Sequence, residues 1–316
     1  MAKDQRRDVP GVEADRPTEI PAAGWWQVLK RAWSEAKADQ VPLLAAGVAF
    51  FGFLSLFPAV VAAVLTYGLV ADPAQIRNQV KDVTEAMPAS GRDLVLQQID
   101  TLTSAPRQSL GIGLAIAVVA AFWSASGGIG NLLTAVNLAY DEDETRGFVR
   151  RKGLALLMTL GAIVFIVLAL VLFAAGAAIG ANLPGPLRIL LIVVRLLLAI
   201  GLITVTLAVV YRLGPDRDAP RLRWVSVGAA VATLIWLAAS IGFSLYVETF
   251  GNYAKTYGSL AAVVILMLWL WLTAYAVLLG AEINAESEEQ TAHDTTKGAP
   301  QPLGQRGAVK ADSLPH

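Results

Sequence analysis

The chain has no cysteine. Disulfides, iron–sulfur clusters, thiolate zinc sites and thiol nucleophiles are therefore all excluded. Histidine is almost as scarce. The two present, His293 and His316, lie in the polar C-terminal stretch, so the apolar body cannot hold a histidine-based metal site. Charge is sparse too. Only 16% of residues are Asp, Glu, Lys or Arg, against about a quarter in soluble domains. The 25 basic and 25 acidic residues cancel, which leaves no electrostatic pull toward nucleic acid. No Walker A loop occurs, so ATP hydrolysis by this chain is not expected.

What is abundant is apolar surface: 55% of the 316 residues are hydrophobic and the mean hydropathy is +0.56. A membrane-crossing helix needs about 20 consecutive, mostly apolar residues. Six stretches reach that length, at about 43–71, 109–130, 153–181, 187–211, 224–247 and 259–282. Their apolar runs are continuous rather than alternating, which rules out a barrel and predicts an all-α, polytopic transmembrane bundle. Short-loop basic residues fall on one side: Lys30, Arg31 and Lys37; Arg146, Arg150, Arg151 and Lys152; Arg212, Arg217, Arg221 and Arg223. By the positive-inside rule both termini are expected in the cytoplasm.

Outside the spans, Met1–Pro21 is polar and lacks a signal-peptide core. Residues 1–23 and 286–316 are expected to be disordered tails flanking a membrane domain over 24–285. Within 24–39, Trp26, Leu29, Trp33 and Ala36 recur at helical spacing among Lys30, Arg31 and Lys37. That pattern fits a helix lying in the inner interface, or equally a lead-in to the first span. The segment at about 72–108 carries two apolar stripes, Ile76/Val80/Val83/Met87 and Leu94/Leu96/Ile99/Leu102, with Ser90 and Asp93 as a capping box. It is expected to form two short outer helices packed over the bundle.

Asp141-Glu142-Asp143-Glu144-Thr145 has the spacing of an aspartyl phosphotransferase motif, but it sits in a short loop between spans. It reads as a solvated acidic turn. Two spans contain helix breakers. The first holds Pro58 after Ser55, with Gly47 and Gly52 upstream; the second ends in Trp123-Ser124-Ala125-Ser126-Gly127-Gly128-Ile129-Gly130-Asn131. Interrupted spans often line transporter sites, whereas the plain reading is a kinked helix and close glycine packing. Gly176 and Gly180 are read as a small-residue packing pair. Arg195 is the one charge deep in a span, about 13 Å past Pro186 along a helix. It should meet a wet cavity or a partner such as Glu248 or Glu282, or snorkel to lipid phosphate. Glu282 begins where the last apolar run stops, and interfacial exposure is its default reading. As a carboxylate at a helix C-terminus, it gains from a specific basic partner.

Several of these pieces, in order over about residues 25–285, resemble the YihY/virulence factor BrkB family of bacterial inner-membrane proteins. They are Ala45–Phe51 leading into Ser55-Leu56-Phe57-Pro58, Trp123–Gly128, Asn137–Tyr140 with the acidic run, and Arg146-Gly147-Phe148. Tyr211-Arg212 with Pro215, Tyr257-Gly258-Ser259-Leu260, Trp269, and Gly280-Ala281-Glu282 with Asn284 complete the set. Arg195 is not part of the pattern. The resemblance implies six spans with both ends inside. Many relatives carry a ribonuclease BN label, against which this sequence argues, having no soluble nuclease domain and no metal cluster. Some relatives are associated with envelope lipid transport. The expected role is thus non-enzymatic and without cofactor or metal: transport or flipping of an envelope lipid or amphiphile. Ser55, Pro58, Ser124, Ser126, Asn131, Arg195, Tyr257, Ser259 and Glu282 are the substrate-binding candidates. A non-transporting scaffold for envelope machinery, working as a homo-oligomer or with an envelope partner protein, is the alternative.

Overall fold

The computed structural model describes residues 9–70, 110–180, 183–249 and 259–315. Eight α-helices occur among them: α1 (Ala22–Ala38), α2 (Val41–Val70), α3 (Leu110–Ala139), α4 (Phe148–Gly180), α5 (Gly185–Leu213), α6 (Leu222–Thr249), α7 (Ser259–Glu289) and the single turn α8 (Val309–Asp312). Helices α2 to α7 are each long and apolar enough to cross a bilayer, giving the six spans. The outer segment 72–108, Tyr257 and the Ser259 side chain lie outside the described residues.

Local chemistry sets the helix starts. Gln40 adopts a left-handed φ of 53° between α1 and α2. Pro42 then occupies the first turn of α2, where no backbone donor is needed. Pro184 and Pro186 open α5 in the same way. The helix breakers do not break their spans. α2 runs through Pro58 and α3 runs through Gly127, Gly128 and Gly130. Of the glycines at 47, 52, 127, 128 and 130, Gly128 alone sits at a close approach. An added Cβ there would lie 2.8 Å from Ser55 Oγ, while the other four face open space.

α2 packs along α3 and α7, and α7 also packs along α6 and α1. The buried core is alanine-rich: Ala45, Ala135, Ala139, Ala229, Ala232, Ala274, Ala281 and Ala285 surround Val136, Tyr140, Tyr211 and Leu278. Small side chains let helix backbones approach closely, which is how bundles pack where lipid is as apolar as leucine. At the α6–α7 crossing the backbones of Gly228 and Gly280 meet. Asn284 Oδ1 accepts from Gly228 N at 2.7 Å and Tyr211 Oη donates to Val277 O at 2.7 Å. Away from this core, α4 and α5 expose large apolar residues such as Ile163, Val167, Leu190 and Leu197, as a lipid-solvated surface requires.

α1 buries Val28, Ala32 and Ala36 and leaves Trp26 (70% exposed), Leu29 and Trp33 outward, with the Lys37 ammonium 5.3 Å from the Trp33 ring centroid. The helix expected over 24–39 is present, with Trp26, Leu29 and Trp33 of its expected stripe outward and Ala36 turned inward.

The tails differ from the expectation of disorder. The described parts of both tails are folded rather than disordered. Gln290 Nε2 donates to Pro10 O (2.8 Å) and Thr291 Oγ1 to Ala14 O (2.7 Å). Arg221 N donates to Thr295 O and Asp218 N to Gly307 O. Glu286, Ser287, Glu288, Thr291 and Thr295 are all fully buried. Polar composition predicts disorder when there is nothing to bury against. Here the polar side chains find partners on α1, the α3–α4 loop and the α5–α6 loop, so hydrogen bonds and ion pairs replace the missing apolar surface.

Candidate functional site

The predicted site residues do not converge on one place. Ser55 Oγ donates to Phe51 O (2.7 Å) and accepts from Gly128 N (3.1 Å), which ties α2 to α3. Ser126 and Asn131 bond carbonyls of their own helix, at Trp123 and Gly127. Ser124 is exposed and Pro58 half-buried. Arg195 lies across Gly176, where an added Cβ would meet its Cδ at 2.6 Å. It borders a groove of about 260 Å³ between α4 and α5, lined by Val171, Leu172, Ile179, Leu191 and Leu198. Gly176 therefore makes room for a guanidinium arm. Glu282 is 1% exposed, contrary to the interfacial reading, because α7 continues to Glu289 and carries it inside the folded end.

Two features emerge in place of a single site. The first is an apolar cleft of about 280 Å³ between α2, α3, α4 and α7. Gly52, Ser55, Ala125, Gly128, Ile163 and Val277 are among its walls, and Thr159 and Thr273 are its other hydroxyl-bearing residues. Thr159 Oγ1 is already committed to Ala155 O. The volume is just under the ~300 Å³ where ordinary small-molecule pockets begin, which suits an alkyl chain better than a bulky polar group.

The second is a charged assembly at the end of the bundle where α1, the 141–147 and 214–221 loops and residues 282–315 meet. Glu286 bridges two cations: Oε2 is 2.6 Å from Arg31 Nε and Oε1 is 2.7 Å from Lys310 Nζ. Lys310 Nζ also reaches Asp141 Oδ2 at 3.0 Å. Burial works against the Lys310 charge, but Glu286 and Asp141 outweigh it and hold the ammonium above the ordinary lysine value. Asp39 is pushed up, first by burial and then by Asp141 and Glu35. Beside these, Arg217 Nη2 and Glu288 Oε1 form a 2.6 Å pair with both side chains fully buried, and the guanidinium stacks 4.4 Å from the Tyr140 ring centroid. Among the described residues Arg217 Nε and Nη1, Tyr140 Oη and Glu282 Oε1 are buried without a hydrogen-bond partner. Glu282 lies one helical turn before Glu286 on the same face of α7.

The Asp141–Thr145 run is a tied loop rather than a free turn. Glu142 Oε1 accepts from Val309 N, and Thr145 donates through both N and Oγ1 to Asp216 Oδ2. Glu144 holds Arg146 at 2.7 and 2.8 Å, and this hydrogen bonding keeps its carboxyl below the usual range. Asp39, Tyr140, Arg217, Glu286 and Lys310 were not among the predicted site residues. The available signal was the run of glutamates at 282, 286, 288 and 289, which places like negative charge at the unfavourable C-terminal end of a helix and so calls for basic partners.

Six apolar helices with a polar plug at one end define a multi-pass integral membrane protein. Over residues 32–303 the chain matches the family described as virulence factor BrkB, and it belongs to that family. It is 30% identical to the ribonuclease-like protein YfkH of Bacillus subtilis over 264 residues, 81% of this chain and 94% of that one. It is 26% identical to a UPF0761 membrane protein of Aeromonas salmonicida over 272 residues, 80% of this chain and 86% of the relative. A UPF0761 membrane protein of Tolumonas auensis is 40% identical over 79 residues, about a quarter of either chain. No solved structure matches.

Proposed function

We propose that this protein moves an envelope lipid or similar amphiphile within the bacterial inner membrane, with both ends of the chain in the cytoplasm and without bond chemistry of its own. The observation that carries this reading is the apolar cleft between α2, α3, α4 and α7. It adjoins helices whose outward residues are lipid-like, so an acyl chain can enter it sideways without crossing water. The Ser55–Gly128 contact sits in its wall as a polar link between α2 and α3. The clustering of the Arg- and Lys-rich loops at one end supports the assigned orientation, because like-signed loops belong on the same membrane face.

Gly52 gives a clean test. It lines the cleft, and an added Cβ meets nothing within 4 Å. Gly52→Leu therefore adds bulk to the cleft wall from a Cβ position that meets no neighbour within 4 Å. Replacing a mid-helix glycine adds roughly 0.5–1 kcal/mol of helix stability. Gly47→Leu, equally unobstructed but outside the cleft lining, is the control. In proteoliposomes, transfer of a fluorescent phospholipid between leaflets should fall in Gly52→Leu and persist in Gly47→Leu. Wild-type protein that moves no envelope lipid class faster than empty vesicles would refute the reading.

A further inference from the structure

Arg195 belongs neither to the apolar cleft nor to the charged end, yet it is a charge set deep in a span. Its Cα lies nine residues beyond Pro186, about 13 Å into α5. Helical side chains tilt toward the N-terminus of their helix, which here points to the α4–α5 turn. The arm of Arg195 lies over Gly176, where a Cβ would sit 2.6 Å from its Cδ and 3.1 Å from its Nη1. Gly176 is only four residues, about 6 Å, from the end of α4 at Gly180. The guanidinium therefore stands nearer the α4–α5 turn than its own Cα does, toward the membrane face away from the charged assembly. The groove of about 260 Å³ beside it has aliphatic walls, with no carboxylate among the described lining residues. On α5, positions 188, 191, 195 and 198 share one face, so the exposed Arg188 continues the groove stripe of Leu191, Arg195 and Leu198 to the first turn of the helix. A cation in a first turn opposes the helix dipole, so Arg188 does not serve the helix itself. On α4 the groove residues Val171, Leu172 and Gly176 fall on the face opposite Thr159, Ile163 and Ile166, which line the cleft. The groove is a separate place.

We propose that the α4–α5 groove holds a net-anionic phospholipid from the leaflet at the α4–α5 turn. Its phosphate sits on Arg195, with Arg188 nearer the surface, and part of one acyl chain runs along the groove. Charge selects the headgroup. Two guanidinium groups stand on this stripe without a carboxylate among the described walls, so a headgroup that carries its own ammonium finds no counter-charge there. Geometry suits the phosphate, because the planar guanidinium fork binds two oxygens at once. With five N–H donors, Arg195 can keep a protein contact and still make that pair. The aliphatic walls select a lipid over a soluble phosphate, which would leave them uncovered. Gly176 completes the site by letting the arginine arm lie flat against α4. A bound phosphate also offsets the cost of placing an arginine within a span. The inference stands apart from lipid movement, because the groove and the cleft lie on opposite faces of α4 and its readout is occupancy, not transfer.

The test is native mass spectrometry of the full chain in a neutral detergent, titrated with phosphatidylglycerol and phosphatidylcholine of the same acyl chains. Wild type should retain phosphatidylglycerol over phosphatidylcholine by on the order of tenfold, and Arg195→Met should lower that retention by a similar factor. Gly176→Leu keeps both arginines but fills the groove, and should lower it too. Two controls should leave retention unchanged. Gly161→Leu adds the same bulk to α4 where a Cβ meets nothing, outside the groove. Arg150→Met removes an exposed cation at the other end of α4. Glycerol 3-phosphate, the headgroup chemistry without chains, should not compete. The proposal is overturned if wild type shows no preference, or if Arg195→Met retains phosphatidylglycerol as wild type does. Equal loss in Arg150→Met would also overturn it, by showing unspecific attraction to basic residues, and so would displacement by glycerol 3-phosphate, which would make this a soluble-anion site. Should Arg195→Met fail to fold, Gly176→Leu against Gly161→Leu decides.

Discussion

Replacing Glu288 by leucine removes the carboxylate bonded to Arg217 and leaves that guanidinium charged and fully buried, with the Tyr140 ring as its remaining contact among the described residues. Breaking a buried pair in this way costs about 3–5 kcal/mol. The reciprocal change, Arg217→Met, should cost less, for a reason visible in the structure. Arg217 Nε and Nη1 have no hydrogen-bond partner among the described residues, and each buried, unpaired donor already carries roughly 1–3 kcal/mol of desolvation. Removing arginine relieves both penalties, and Glu288 keeps Thr295 Oγ1 at 2.7 Å on its other oxygen. The net cost of Arg217→Met should then be about 1–3 kcal/mol. The double variant Arg217→Met/Glu288→Leu buries no charge at all and should be more stable than Glu288→Leu alone. Reversible unfolding in mixed micelles, titrated with dodecyl sulfate and followed by circular dichroism, measures all three. Equal costs for the two single variants, or a double variant at the sum of its singles, would show that the orphaned donors carry no penalty and would refute the reasoning.

Three further outcomes follow from other parts of the fold. Gly228→Ala places a methyl against Gly280 O and the buried Asn284 amide, neither of which can retreat, so it should destabilise by about 1–3 kcal/mol in the same unfolding assay. Glu144 is held below its ordinary 4.5 by Arg146, so its contribution is complete above that value and is lost as pH falls through the lower folded one. Glu144→Gln should flatten the acid limb of a stability–pH curve below about 4.5, leaving the part due to Asp216, which burial pushes up and the Thr145 bonds more than offset. If α1 lies in the membrane interface, a spin label at position 33 should be relaxed by oxygen and one at position 34 by a water-soluble nickel complex; the reverse pattern would remove α1 from the lipid surface.

The count of spans, and their grouping by loop charge, were legible in the sequence because both are local properties. A run of apolar residues long enough for hydrocarbon must be a helix wherever its neighbours lie. The outward Trp26 and Trp33 of α1 were legible for the same reason, since helical spacing alone puts them on one face. Pro58 and the Gly127–Gly130 run left two readings open, interrupted spans or a kink with close packing, and the helices run through both. Whether a glycine interrupts a helix or admits a neighbour depends on what stands opposite, and Ser55 stands opposite Gly128 alone. Arg195 was conspicuous as a charge, but that it lies over Gly176 was not, because the two residues are on different spans. The charged end was least legible. Arg31 and Glu286 are 255 residues apart in the chain, and Lys310 belongs to a stretch whose composition by itself predicts disorder. Burying polar side chains is favourable only once their partners are in place. Hydrophobic length, a property each segment carries alone, determined the bundle; the mutual pairing of charges, which exists only after α1, α7 and the 290–315 segment have come together, decided the charged end.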